Sequence, residues 1–201
     1  VKRIIVSSLT ALLIIGISSC LLKKKSLEIV LTEESCADFS EMELLASFIT
    51  PAEVNFGRKL DDLLTENGMS RSDISRAVLV SVSYGITQFS HDHDWSISGI
   101  ITVERKDKPE GPFPILTYAN VSLERTLGVM VPADLDSSGV NLVNRALADF
   151  ISGDDPILVF TVQNGDVDPL PSLSDPIAFD WKACAVMHVV VRQNLEVPDP
   201  F

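Results

Sequence analysis

From Arg76 to Val103 apolar side chains recur at every second position, twice over, on either side of a polar break. Val78, Val80, Val82, Tyr84 and Ile86 alternate with Leu79, Ser81, Ser83, Gly85 and Thr87; after Ser90–Asp94 the pattern resumes with Trp95, Ile97, Gly99, Ile101 and Val103. A period of two marks a strand with one buried face, and two such runs joined by a short polar turn read as an antiparallel hairpin. A parallel pair needs a crossover of a dozen or more residues, which this spacing does not provide.

The remaining elements agree with an antiparallel fold. Ser26–Leu31 reads as a strand with Leu27, Ile29 and Leu31 on one face. Glu41–Phe48 suggests a short helix, and Pro51 a break. Phe56–Asn67 predicts a helix with Leu60, Leu63 and Leu64 on its apolar face and Gly68 as its stop. Ser70 and Asp73 resemble a capping pattern. Lys106–Pro114, with three prolines and a glycine, reads as a loop, followed by strands at Ile115–Ser122 and Thr126–Val131. A second helix starts at Ser137 or Ser138, carries Leu142, Val143, Ala146, Leu147, Phe150 and Ile151 at helical spacing, and ends at Gly153. Asp134 and Asp136 before it read as capping and turn residues. Ile157–Gln163 is a strand, Asn164–Pro176 a loop, Ile177–Arg192 a closing strand interrupted near Lys182, and Glu196–Phe201 a tail. About seven strands with two inserted helices and no βαβ alternation predict a mainly β fold: a single antiparallel β-sandwich, Ig-like or related, over residues 26–201. The arrangement is similar to bacterial secreted sandwich domains in which a helix rich in Leu and Asp precedes an S-V-x-Y-like strand, here Ser81–Gln88.

The amino terminus reads differently. Val1-Lys2-Arg3 is basic, Ile4–Ile17 is uncharged, and Ile17-Ser18-Ser19-Cys20 ends in small residues and a cysteine. This is the shape of a secretory signal over residues 1–19, and the apolar run is shorter than the roughly 20 residues of a membrane-spanning helix. Val1 fits a bacterial GUG start. Ile17-Ser18-Ser19-Cys20 resembles the lipobox of bacterial lipoproteins, with Ile17 in the usual place of Leu and Ser19 in that of Gly or Ala. The resemblance implies cleavage before Cys20, a diacylglyceryl group on its sulfur, and acylation of the new amino terminus. Residues 20–25 would then be a tether. Lys23, Lys24 and Lys25 sit where anionic headgroups would be, or simply mark a break between signal and domain. Leu21, being other than Asp, implies sorting to the outer membrane where the source has one.

With Cys20 assigned to lipid, Cys36 and Cys184 remain. Cys36 follows the first strand-like run and Cys184 begins the last. If those strands are antiparallel neighbours the sulfurs meet, and an extracytoplasmic setting permits a disulfide; two separate buried thiols are the alternative.

Charge excludes one partner class. The chain carries 28 acidic and 16 basic residues, a net of -12. Five of those basic residues lie in residues 1–25, so Ser26–Phe201 is at -17, against a phosphate-binding nucleic-acid partner. Candidate metal ligands are few. His91 and His93 are two apart and would chelate Zn²⁺ or Cu²⁺ from one face of a strand, against a plain solvated turn. Asp166 and Asp168 alternate within Asn164–Asp168 as Ca²⁺ oxygen ligands do, but the EF-hand spacing is missing. His188, among apolar neighbours, reads as structural. Trp95 and Trp181 read as core residues. G-x-S-x-G, H-E-x-x-H, P-loop and dinucleotide motifs are absent, and Asp61-Asp62 and Asp154-Asp155 read as surface carboxylates. The expectation is a non-enzymatic, lipid-anchored binding or structural module without cofactor. It would meet a protein or glycan through the loops Ser90–Asp94, Lys106–Pro114 or Asn164–Pro176. A Ca²⁺- or transition-metal-dependent adhesion or carbohydrate-binding module, and a hydrolase with a noncontiguous site, are the alternatives.

Overall fold

The computed structural model describes residues 22–43, 47–89 and 94–198. Strands β1 (Leu22–Glu43) and β2 (Phe48–Val54) lead into helix α1 (Phe56–Glu66) and a 3-10 turn at Arg71–Asp73. Then come β3 (Ile74–Phe89), β4 (Ser96–Arg105), β5 (Glu110–Ser122), the one-turn helix α2 (Leu123–Thr126) and β6 (Val131–Pro132). Helix α3 (Ser137–Ile151), β7 (Leu158–Asp168) and β8 (Ile177–Pro198) complete the order. The strands form two antiparallel four-stranded sheets, β1-β8-β3-β6 and β2-β7-β4-β5, the expected β-sandwich, with eight strands instead of about seven. The two alternating runs read as a hairpin are both strands but do not pair: β3 lies between β8 and β6 in the first sheet and β4 between β7 and β5 in the second, because each buries its apolar face against the opposite sheet. The signal, Cys20, and His91 and His93 lie outside the described residues.

The core follows from the alternation. Trp181, Met187, Val189 and Val191 of β8 face Ile97, Ile101 and Val103 of β4 and Leu158 and Val162 of β7, all nearly or fully buried. Both tryptophans are core residues, each 1% exposed. The two long helices form where their apolar stripes predicted. Asn55 caps α1 by accepting from the Arg58 N–H, and Gly68 follows at φ +67. Asp136 caps α3 by accepting from the Ser138 N–H, and Leu142, Val143, Ala146, Leu147 and Phe150 are buried. Gly139 lets α3 lie directly on β5: a Cβ there would be 2.4 Å from the Pro114 carbonyl oxygen.

Several boundaries differ from expectation, each for a physical reason. Glu41–Glu43 and Phe48 are strand rather than helix, because β1 keeps its alternation with Phe39 and Glu41 buried and Ser40 and Met42 exposed. Pro51 sits inside β2 opposite Thr161, tolerated because β2 is an edge strand that does not need its N–H. Pro112 and Pro114 likewise lie in the edge strand β5, so the loop expected at Lys106–Pro114 shrinks to a turn at 106–109. The strand expected at Thr126–Val131 is replaced by α2 and the two-residue β6. Asn164-Gly165 does not turn. β7 runs on to Asp168 against β4, and the tail residues Glu196–Pro198 belong to β8. β8 passes Lys182 without a break; the irregularities lie on its neighbour β3, at Ile74/Arg76, Leu79/Ser81 and Ile86/Gln88. The second of these leaves Val80 exposed and sets Ala77 and Leu79, then Val82, Tyr84 and Ile86, on the buried face.

At one end of the sandwich, ionic contacts join the helices to the sheet. Arg71 donates to Asp61 at 2.5 Å and to Asp155 at 2.7 Å while its guanidinium lies 4.0 Å over the Phe150 ring. Two of the carboxylates read from sequence as surface pairs thus have a structural partner. Arg105, 1% exposed at its side chain, pairs with Asp107 and Asp149. Lys108 reaches Asp149 at 2.8 Å.

Candidate functional site

In β8 odd-numbered residues face the interior, so Asp180, Lys182 and Cys184 point to the outer face of the first sheet. Cys36 and Cys184 are direct partners in the β1–β8 register and form a disulfide, their Cα atoms 4.0 Å apart. The first and last strands are antiparallel neighbours, the condition for the two sulfurs to meet.

Beyond β3, the segment after α2 shapes this face. The Gly128 N–H donates to the Ile86 carbonyl, Val131 and Pro132 pair with Tyr84 and Ser83, and the Ala133 N–H donates to the Val82 carbonyl. Between these anchors Val129 and Met130 arch over Gly85, where a Cβ would lie 2.4 Å from the Val129 oxygen. Glycine is required there by close approach, not by its dihedral. The arch, the disulfide and β1 enclose a hollow of about 360 Å³ lined by Glu34, Cys36, Lys182 and Met130. Through Thr87 it continues into one of about 310 Å³ lined by Asp38, Ser40 and Asp180, and through Ser40 and Asp180 into a third of about 250 Å³ reaching Met42 and Gln88. The three make one trough along β8. Glu34, Asp38 and Asp180 line it against one cation, Lys182, and Ser40 Oγ donates to Asp180.

The interior offers no comparable space. Among the described residues the cavity between the sheets is about 30 Å³ and is walled by Phe39, Phe56, Ile101 and Val143, far below the 300–1,000 Å³ typical of ligand pockets. A polar seam crosses this interior. Glu41 accepts from Trp181 Nε1 at 3.2 Å and from Thr50 Oγ1 at 2.7 Å, and Tyr118 donates to Asn164 at 3.2 Å. Burial, then the nearby Glu41 charge, pushes the Tyr118 phenol well above its usual range.

Of the candidate ligands, Asp166 and Asp168 are exposed on β7 opposite Ser98 and Ser96, in a strand rather than a loop. Among the described residues neither joins a cluster of three metal-ligating side chains; the one such cluster, Glu34 with Cys36 and Cys184, has both sulfurs in the disulfide. His188 lies on the outer face between Thr32 and Val78, half-buried. Of the candidate loop Ser90–Asp94, residues 90–93 fall outside the described residues. The trough itself was not anticipated. Its one sequence signal is Gly85, a glycine inside an alternating strand, which marks a bulge or a close approach.

No protein-family model matches the chain, and no curated protein matches it.

Proposed function

We propose that the protein is a lipid-anchored binding module of the bacterial cell envelope, without enzymatic activity, that receives an extended, basic polypeptide in the trough along β8. The observation that carries this reading is the Cys36–Cys184 disulfide on the floor of the trough, a bond kept in oxidising, extracytoplasmic compartments. It agrees with the signal shape and with Cys20 as the lipidated residue. Acyl chains contribute about 0.8 kcal/mol per buried CH₂, so several together hold a domain on a bilayer. The carboxylates of Glu34, Asp38 and Asp180 favour a cationic partner. Sugars are a poorer fit, since Trp95 and Trp181, the residues best suited to stack on a sugar ring, are both in the core.

Two measurements test the reading. Cys20→Ala should move the protein from the membrane fraction to the soluble fraction, and continued membrane association would refute the anchor. The wild-type protein should capture a basic envelope polypeptide, and Asp38→Lys with Asp180→Lys should abolish that capture. Unchanged capture would refute the trough as the binding face.

A further inference from the structure

Three of the four outer sheet edges are blunted against strand addition, and the fourth is not. β2 has seven residues and contains Pro51; β5 contains Pro112 and Pro114 and is broken by register shifts; β6 has two residues, one of them Pro132. Short strands, prolines and bulges are how sheet edges avoid pairing with other chains. β1 is an edge strand of 22 residues with neither proline nor glycine, hydrogen-bonded to β8 on one side only among the described residues.

The direction of its free backbone groups follows from the disulfide pair. Cα atoms 4.0 Å apart mark Cys36–Cys184 as a narrow, non-hydrogen-bonded pair. The β1–β8 register has no shift, so even-numbered residues of β1 aim their N–H and C=O groups away from β8, at the free edge. Exposed apolar side chains sit along the same stretch: Leu27 is 45% and Val30 55% exposed, and Ile29 and Leu31 are only partly covered by the core.

We propose that β1 pairs antiparallel with β1 of a second copy of this chain, about a two-fold axis at Ile29, so that the two β1-β8-β3-β6 sheets become one continuous sheet. The sequence complements itself in this register. Lys24 falls opposite Glu34 and Lys25 opposite Glu33, twice each by symmetry. Ser26 meets Thr32, Leu27 meets Leu31, and Ile29 meets its own copy. Glu28 falls opposite Val30, and its charge is already met by Arg192 on β8 at 2.9 Å. Pairs 24/34, 26/32 and 28/30 are the hydrogen-bonded ones. Leu27/Leu31 and Ile29/Ile29 fall at narrow pairs, where side chains approach closest. Neighbouring registers are worse: an axis at Glu28 sets that carboxylate against its own copy, and one at Val30 sets Leu27 against Glu33. A parallel in-register pairing would stack Lys on Lys and Glu on Glu.

The test is the mass of the full chain in detergent micelles across a dilution series, with folding checked by far-UV circular dichroism. Wild type should be a dimer. Lys24→Glu should raise the dimer dissociation constant about tenfold, since two cross-strand ion pairs become like-charge pairs, and Lys24→Glu with Glu34→Lys should restore it. Ile29→Cys should form a covalent dimer on oxidation far faster than Val30→Cys, because only position 29 meets itself. A wild-type monomer would overturn the proposal. So would a dimer indifferent to Lys24→Glu, as one held by the apolar segment before Cys20 would be, or equal cross-linking at positions 29 and 30.

Discussion

Arg105 donates from Nη1 to Asp149, tying the end of β4 to the last turns of α3. The guanidinium is almost fully buried while its two carboxylate partners remain partly exposed. Removing the cation leaves Asp107 without its ion pair, Asp149 with Lys108 alone, and a buried space where the guanidinium made its hydrogen bonds. Arg105→Met should therefore destabilise the fold by about 3 kcal/mol, the lower end for breaking a buried pair. Urea denaturation followed by tryptophan fluorescence measures it.

The same contact predicts a pH dependence. Arg105 holds the Asp107 carboxyl below its usual value near 3.8, and Lys108, then Arg105, does so for Asp149. Folded-state values lowered in this way contribute stability that is fully present above the unfolded value and is lost as pH falls through the folded ones. Wild type should lose stability more steeply below about pH 4 than Arg105→Met does. Parallel acid titration curves for the two proteins would refute the assignment.

Cys36 and Cys184 are 148 residues apart in sequence. Closing so long a loop removes chain entropy from the unfolded state, about 4–5 kcal/mol in the entropic model. Cys36→Ser with Cys184→Ser should lower the denaturation midpoint accordingly while leaving the far-UV spectrum unchanged. A thiol assay on the native protein should find neither sulfur reactive until a reductant is added.

Gly139 separates propensity from packing. On helix propensity alone Gly139→Ala should stabilise α3 by up to about 1 kcal/mol. The added methyl would lie 2.4 Å from the Pro114 oxygen and 2.7 Å from the Ile115 Cα, backbone that cannot yield cheaply. The variant should instead be destabilised by about 1–3 kcal/mol, read as a lowered melting temperature.

What was legible in the sequence was whatever rests on periodicity. The stripes of α1 and α3, the Asp136 cap and the alternation of β3 and β4 follow from spacing and side-chain chemistry; that β3 and β4 lie in different sheets does not. What was not legible depends on position within the sheet. Pro51, Pro112 and Pro114 look like breaks until their strands are known to be edges. Asn164-Gly165 looks like a turn until β4 is found beside it. The alternation through Val80 reads as one face until a bulge in β3 moves Leu79 inward and Val80 outward. The arch over Gly85 joins residues more than forty apart, and local pattern carries no trace of such a contact beyond the glycine itself.

β8 lies between β1 and β3 and is hydrogen-bonded to both along most of its length. The first sheet therefore has no seed until Ile177–Pro198 has left the ribosome: before then β1 and β3 lack a common neighbour. A sheet built in this way is completed late, through contacts of high sequence separation, the slow kind to make. It also makes the joining of Cys36 on β1 to Cys184 on β8 one of the late steps of folding.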